Sequence, residues 1–181
     1  LTSTGATTFG TSTVSGALVV NGSADQTAAT ALTVSGTSTI AGGAANVTLA
    51  NSGNDFQGAL TLTAGLVDVV GMNDLNVVGL TLSPNASVRL VAGRSLTLPA
   101  AAIDTGTAAL ELRSNGGTLA TAGNLRGGNI TLAGQNGLTL SHNVAAGGIL
   151  TMAAGGTTAD VTQTAGSTAA AAVGAVSVSA G

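Results

Sequence analysis

Three charged residues at regular spacing are the first candidates for chemistry in this 181-residue chain. Asp68, Arg89 and Glu111 follow one another at intervals of 21 and 22 residues, and apolar residues flank each of them. If the chain coils with that period, the side chains stack on one outer face, and two carboxylates within about 10 Å suffice for glycoside cleavage. The same stack fits a charge ladder that neutralises itself, in which each exposed pair contributes about 0–1 kcal/mol. Because no aromatic side chain is placed to stack on a sugar, we favour the ladder.

Other polar residues could also suggest a site, but each fits a corner of the chain better. His142 is the single histidine, and a catalytic histidine needs a nucleophile and an orienting acid beside it. The adjacent Ser141 does not serve, since alternation along an extended chain aims neighbours to opposite sides. Asp55 and Asp74 repeat in the phrase Asn-Asp-(Phe/Leu), whereas the calcium-binding Gly-Gly-x-Gly-x-Asp repeat does not occur. We therefore predict no catalytic residue, no metal site and no cofactor, and we expect that the chain is not an enzyme.

The composition excludes several classes of partner. Charged residues make up 6% of the chain, the net charge is −3 and the four arginines are scattered, so no basic patch is available for a nucleic acid. No run of 18 apolar residues is present, which predicts no transmembrane helix and no membrane insertion. With aromatic residues at 1% and no cysteine, the core must be thin, aliphatic and free of disulfides.

Apolar segments recur about every 20 residues in three interleaved series, which we name A, B and C in chain order. A fixed period built from strand-sized segments indicates a solenoid. We predict an all-β fold: a three-sided parallel β-helix with about 20–22 residues per turn and roughly seven to eight turns, right-handed by the general preference of crossovers. Series A is centred on Thr48, Asp68, Arg89, Glu111, Thr131 and Thr151; series B begins with Phe56, Leu75, Leu96, Gly117 and Leu138; series C is centred on Thr61, Thr81, Ile103, Leu125 and Val144.

The chain is predicted to be a single solenoid segment over residues 1–181. Its regularity varies along the sequence, and Gly and Asn recur at the expected corners because they tolerate positive φ or bond corner amides. The predicted parts are residues 1–45, less regular and with a polar loop near 21–30; residues 46–155, in regular turns; and residues 156–181, in a loose final turn.

The first part contains a seven-residue phrase that occurs twice. Gly10–Gly16 returns with little change as Gly36–Gly42, so we place both copies in series C. This assignment puts Leu18–Val20 in series A and Leu32–Val34 in series B.

Several phrases resemble a known family. The segment Asn51-Ser52-Gly53-Asn54-Asp55-Phe56-Gln57-Gly58-Ala59-Leu60-Thr61-Leu62 and the shorter ones at 73–77, 128–132 and 137–140 are similar to the shaft repeats of filamentous-haemagglutinin-like exoproteins. These proteins use the two-partner and autotransporter secretion routes of Gram-negative bacteria. The resemblance covers roughly residues 30–155 and carries over no catalytic residue.

The resemblance implies a right-handed parallel β-helix that an outer-membrane transporter exports to the bacterial cell surface. It implies a role in adhesion, biofilm formation or presentation of a distal domain, with a host-cell or matrix receptor or glycan as partner. Motifs of the family's amino-terminal secretion domain are not found, so we expect an internal fragment of a much larger surface protein, flanked by further turns of the parent.

Three hypotheses on function follow. The first is a structural and adhesive shaft segment. The second is a polysaccharide-cleaving enzyme centred on Asp68, Arg89 and Glu111. The third is a module that assembles end to end into a fibre.

Overall fold

The computed structural model describes residues 1–181 and consists of 25 short strands joined by turns. It contains no helix, and thus none that could cross a membrane. In chain order the strands are β1 (Thr2–Thr4), β2 (Thr7–Phe9), β3 (Ser12–Val14), β4 (Leu18–Asn21), β5 (Ala24–Gln26), β6 (Leu32–Val34), β7 (Ser38–Ala41), β8 (Asn46–Leu49), β9 (Asp55–Phe56), β10 (Leu60–Ala64), β11 (Leu66–Gly71), β12 (Leu75–Leu82) and β13 (Val88–Ala92). They continue as β14 (Leu96–Thr97), β15 (Ile103–Asp104), β16 (Leu110–Ser114), β17 (Leu119–Ala120), β18 (Leu125–Gly127), β19 (Ile130–Gly134), β20 (Leu138–Leu140), β21 (Val144–Ala146), β22 (Leu150–Ala154), β23 (Val161–Gln163), β24 (Ala169–Ala171) and β25 (Val176–Ala180).

The strands form a parallel β-solenoid of about eight turns, which confirms the predicted fold class. One sheet, here called sheet A, runs through the whole rod in the order β2-β5-β8-β11-β13-β16-β19-β22-β25. Its nine strands, at about 4.8 Å from one to the next, give a rod about 38 Å long. The predicted series A is confirmed residue by residue, because the register aligns Thr48, Asp68, Arg89, Glu111, Thr131 and Thr151.

The other two faces are less continuous than predicted. A second nine-stranded sheet runs β1-β4-β7-β10-β12-β14-β17-β20-β23, while β3-β6-β9 and β15-β18-β21-β24 form two shorter sheets. We call the sides of the rod that carry series A, B and C faces A, B and C. The eight-residue strand β12 explains the interruption, because it runs through the expected corner between faces B and C. Its first two residues, Leu75 and Asn76, pair with β14 on face B. Its remainder, Val77–Leu82, pairs with β10 on face C.

Three details of series B and C are corrected by this register. Leu96 pairs with Leu119 rather than with Gly117, since two more residues enter the preceding corner. On face C a bulge after Leu60 shifts the ladder. Thr61 therefore pairs with Gly79, and Thr81 pairs with Thr63.

Two predicted steps are not ladders at all. Phe56 does not pair with Leu75, and Thr81 does not pair with Ile103. Both steps fall where β12 replaces a corner by continuous strand. Each turn of the solenoid is here called a coil. The preceding coil pairs with β12 on face C alone, and the following coil pairs with it on face B alone.

The prediction for the first 45 residues is wrong in part: the second copy of the phrase, Gly36–Gly42, lies on face C as predicted, whereas the first copy and Leu18–Val20 lie on other faces than predicted. The two copies of the repeated phrase do not stack: β3 pairs with β6 on face B, whereas β7 pairs with β4 on face C. Leu18–Val20 thus lies on face C instead of series A. Face A is occupied by β5 (Ala24–Gln26), within the expected loop. The assignment of Leu32–Val34 to series B is correct.

The core is a column of aliphatic side chains along the axis. It comprises 36 buried residues, of which Phe9 and Phe56 are the two aromatic ones. Corners are closed by asparagine side chains that accept a hydrogen bond from the next coil, at 2.9 Å from Asn85 to Thr107 N, from Asn129 to Ile149 N and from Asn143 to Thr168 N. The bonds are of the kind expected of Asn at a corner, but these three residues lie at the C-to-A and B-to-C corners and not at the A-to-B corners for which the role was predicted.

Candidate functional site

The three charged residues of series A lie together on the outer side of sheet A. Strands β11, β13 and β16 present Asp68, Arg89 and Glu111 in direct register. Arg89 Nη1 donates to Asp68 Oδ1 at 2.8 Å, and Arg89 Nε lies 3.6 Å from Glu111 Oε2. Each of these side chains is roughly a third exposed. The stack of acid, arginine and acid that the period predicted is therefore present.

A fourth member of the ladder was not expected from the sequence. Arg113 lies two residues after Glu111 on β16 and donates from Nε to Glu111 Oε1. A second guanidinium therefore stands beside the last acid of the ladder. In the same outward column, in register above Arg113, stand Val91 and Val70, which are only 5% and 6% exposed although they lie outside the core cluster. Long arginine stems commonly cover apolar surface while their heads stay in water. The ladder thus combines ion pairs with a small apolar patch on the outside of the rod.

The geometry of the ladder bears on the cleavage hypothesis. A shallow depression of about 220 Å³ lies beside it, with Leu66, Ser87 and Ala109 along its other side. An acid pair that cleaves a glycoside must leave room between the carboxyl groups for the sugar and, in an inverting enzyme, for a water. Here the Arg89 guanidinium occupies the space between the two acids and contacts both. The arrangement is suited to mutual neutralisation.

A second ion pair stands on face C. Arg126 Nη1 donates to both carboxylate oxygens of Asp104, at 3.2 and 3.0 Å, and both side chains are more than half exposed. The pKa of the Asp104 carboxyl is lowered, chiefly by the hydrogen bond that the Gly106 N–H donates to Oδ1 at 2.8 Å. Slight burial opposes this lowering, and Arg126 adds to it by hydrogen bond and by charge. The 22-residue spacing of Asp104 and Arg126 is the signal by which the sequence could have revealed this pair.

The remaining sequence candidates lie apart from the ladder: His142 and Asp74 are at corners, and Asp55 begins β9. His142 Nδ1 lies 3.0 Å from the Thr121 carbonyl oxygen, and the His142 backbone N–H donates to Thr121 Oγ1 at 3.1 Å. Asp55 accepts from Asn73 Nδ2 at 3.1 Å, and Asp74 accepts from a backbone N–H at 2.9 Å. No three His, Cys, Asp or Glu side chains lie close enough to one another to hold a metal ion.

Sequence reasoning missed a buried amide cluster in the first part of the rod. Asn54 is fully buried, and its Oδ1 accepts from Leu32 N at 2.8 Å while its Nδ2 donates to Leu49 O at 2.9 Å. Gln26, on β5, bonds the same amide through both of its side-chain atoms. The cluster ties two neighbouring coils together, and nothing in the corner phrase distinguishes this asparagine from its more exposed counterparts.

A groove follows the corner from face C to face A over several coils. It has a volume of about 540 Å³, and glycines, alanines and the Arg126 and Asn129 side chains line it. Gly128 is needed for stacking, because a Cβ there would lie 2.1 Å from the Thr107 carbonyl oxygen. The groove therefore follows from the close approach of successive coils.

Comparison with known families adds one match. A family described as repeats of unknown function (DUF5649) matches residues 1–63, which form β1 to β9 and all but the last residue of β10. No curated protein and no solved structure matches the chain at a significant level. Fold and match together identify a repeat protein that forms a parallel β-solenoid. The resemblance to filamentous-haemagglutinin-like shafts stays a prediction.

Proposed function

We propose that this chain is a shaft segment of a large secreted surface protein of a Gram-negative bacterium, and that it serves adhesion, biofilm formation or the presentation of a distal domain. The observation that supports the proposal is sheet A, which continues through all coils without a break in its ladder. Such stacking extends the molecule along one axis, and each coil contacts only the coils next to it. Flanking coils of the parent protein are the proposed partners at both ends.

The sides of the rod support an adhesive role. Outward positions carry mostly Thr, Ala, Ser, Asn and Gly, with few charges, so the surface has no strong field of one sign. A host-cell or matrix receptor or glycan is the proposed ligand, and an outer-membrane transporter is the proposed partner during export.

Removal of one whole coil tests the shaft. Leu110 and Ile130 are in register on sheet A. Leu119 and Leu138 are in register on face B, and Leu125 and Val144 on face C. Deleting residues 110–129 therefore joins equivalent points of two coils. We expect a folded rod shortened by about 4.8 Å, measured by small-angle scattering. A matched deletion of ten residues from the same stretch breaks the register and should unfold the downstream coils; equal stability of the two deletions contradicts the proposal.

Adhesion and its rivals are tested on the intact chain. Beads coated with the chain are applied to cultured host cells, matrix proteins and a glycan array, with uncoated beads as control; binding to none of these contradicts an adhesive role. Cleavage of acidic glycans that is lost in Asp68→Asn and Glu111→Gln would favour the enzyme instead. Light scattering that grows with protein concentration would favour the end-to-end fibre.

A further inference from the structure

The ladder stands at the one level of the rod where the strand pairing of the other faces changes. Between the coil of β8 and the coil of β11, faces A and C are paired, whereas face B is not. Between the coil of β11 and the coil of β13, faces A and B are paired, whereas face C is not. Sheet A is thus the only face that is paired across both steps.

The packing beneath face C is looser at this level. In the register of β10 and β12, Leu62 aligns with Leu80 and Ala64 with Leu82. Leu62 and Ala64 are fully buried, but their partners Leu80 and Leu82 are only partly buried and lie at the margin of the core. The following coil leaves them partly uncovered because β15 starts only at Ile103, after the exposed Ala100–Ala102 segment.

We propose that the Asp68–Arg89 pair of the ladder is a clamp that holds the coils of β11 and β13 in register, at the step where face C gives no strand pairing. Arg89 contacts the coil above through Asp68 and the coil below through Glu111. Arg113 fixes the Glu111 carboxylate from the side. Asp68 and Arg89 are positioning groups, and this role is independent of adhesion.

The other ion pair provides the contrast. Asp104 and Arg126 join the coils of β13 and β16, which are paired on all three faces. Arg89 and Glu111 join the same two coils, so the contrast is with the Asp68–Arg89 pair. They are more exposed than the members of the ladder. A clamp is needed at the first place and adds little at the second.

Native-state hydrogen exchange, read by mass spectrometry, tests the clamp with Arg89→Gln and the matched control Arg126→Gln. In Arg89→Gln, amides of residues 77–82 and 96–104 should exchange about three- to tenfold faster, as expected for loss of a partly buried ion network from a local opening. Amides of β2 and β5 should not change. In Arg126→Gln, residues 77–82 should stay within about twofold of the wild type.

The same experiment can overturn the proposal. Acceleration that is uniform along the rod, equal acceleration in both variants, or no acceleration in Arg89→Gln would each show that the ladder has no special role at this level. If Arg89→Gln does not fold, the wild type is measured in about 1 M salt, where exposed charge interactions are screened. A selective acceleration of residues 77–82 in salt supports the clamp, and a uniform or absent effect refutes it.

Discussion

Replacing Asn54 by alanine should lower the free energy of unfolding by about 3–7 kcal/mol. The side chain is fully buried, and its amide bonds Leu32 N, Leu49 O and both side-chain atoms of Gln26. Without it, the Leu32 N–H and the Leu49 carbonyl lose a partner inside the core, and each such buried group costs about 1–3 kcal/mol. The loss of the two Gln26 bonds adds about 1 kcal/mol.

Urea denaturation followed by far-ultraviolet circular dichroism measures this change, since the chain has no Trp or Tyr to report by fluorescence. Asn115→Ala is the matched control. Asn115 lies at an exposed corner with only its backbone hydrogen-bonded, so its replacement should cost less than about 0.5 kcal/mol. Equal losses in the two variants would refute the reasoning, because they would reduce the buried cluster to an ordinary corner.

Three further changes test other parts of the rod. Ser38→Ala should leave the free energy of unfolding unchanged or raise it by about 1 kcal/mol, since the buried hydroxyl has no hydrogen-bond partner. Thr105→Val should lower the free energy of unfolding by about 1–2 kcal/mol, since the buried Thr105 hydroxyl donates to the Ala108 carbonyl oxygen at 2.9 Å. The opposite order of stability in urea titrations would contradict both predictions. Gly128→Ala places a Cβ 2.1 Å from a backbone oxygen and should cost about 3 kcal/mol, whereas Gly147→Ala, with its nearest atom at 3.6 Å, should cost little; similar melting temperatures would count against tight stacking there. Because the pKa of Asp104 is lower in the folded than in the unfolded chain, this residue adds stability above about pH 4, and that stability is lost as the pH falls through the folded pKa. Asp104→Asn should therefore make the unfolding midpoint fall less steeply on the acid side of a plot against pH. A plot that is the same for the variant and the wild type would contradict the pKa shift.

The sequence predicts the face-A register well because its physical signal is strong there. Each strand of that series places an apolar pair around a polar or charged centre, as at Asp68 and Glu111, and the spacing varies by only a residue or two. Alternation and period then point to the same alignment. The ladder could be predicted for the same reason, apart from Arg113, whose role depends on a side-chain approach that spacing does not encode.

The failures lie where that signal is weak or duplicated. β5 reads Ala-Asp-Gln and carries no apolar alternation, so the segment that completes face A resembled a loop. The repeated phrase in the first part misled because similar residues suit an outward strand on either face. In β12 the apolar run continues through the expected corner, and a corner that is absent leaves no mark in the sequence.

Sheet A has an evolutionary consequence. Its unbroken ladder acts as a spine with constant spacing, whereas the other two faces accept a skipped corner, an added loop or a changed strand partner. Insertions can therefore accumulate on those two faces, and surface chemistry can diverge there, while whole coils are gained or lost along the spine without disturbing their neighbours. The length of such a rod and the chemistry of its surface can therefore change independently of each other.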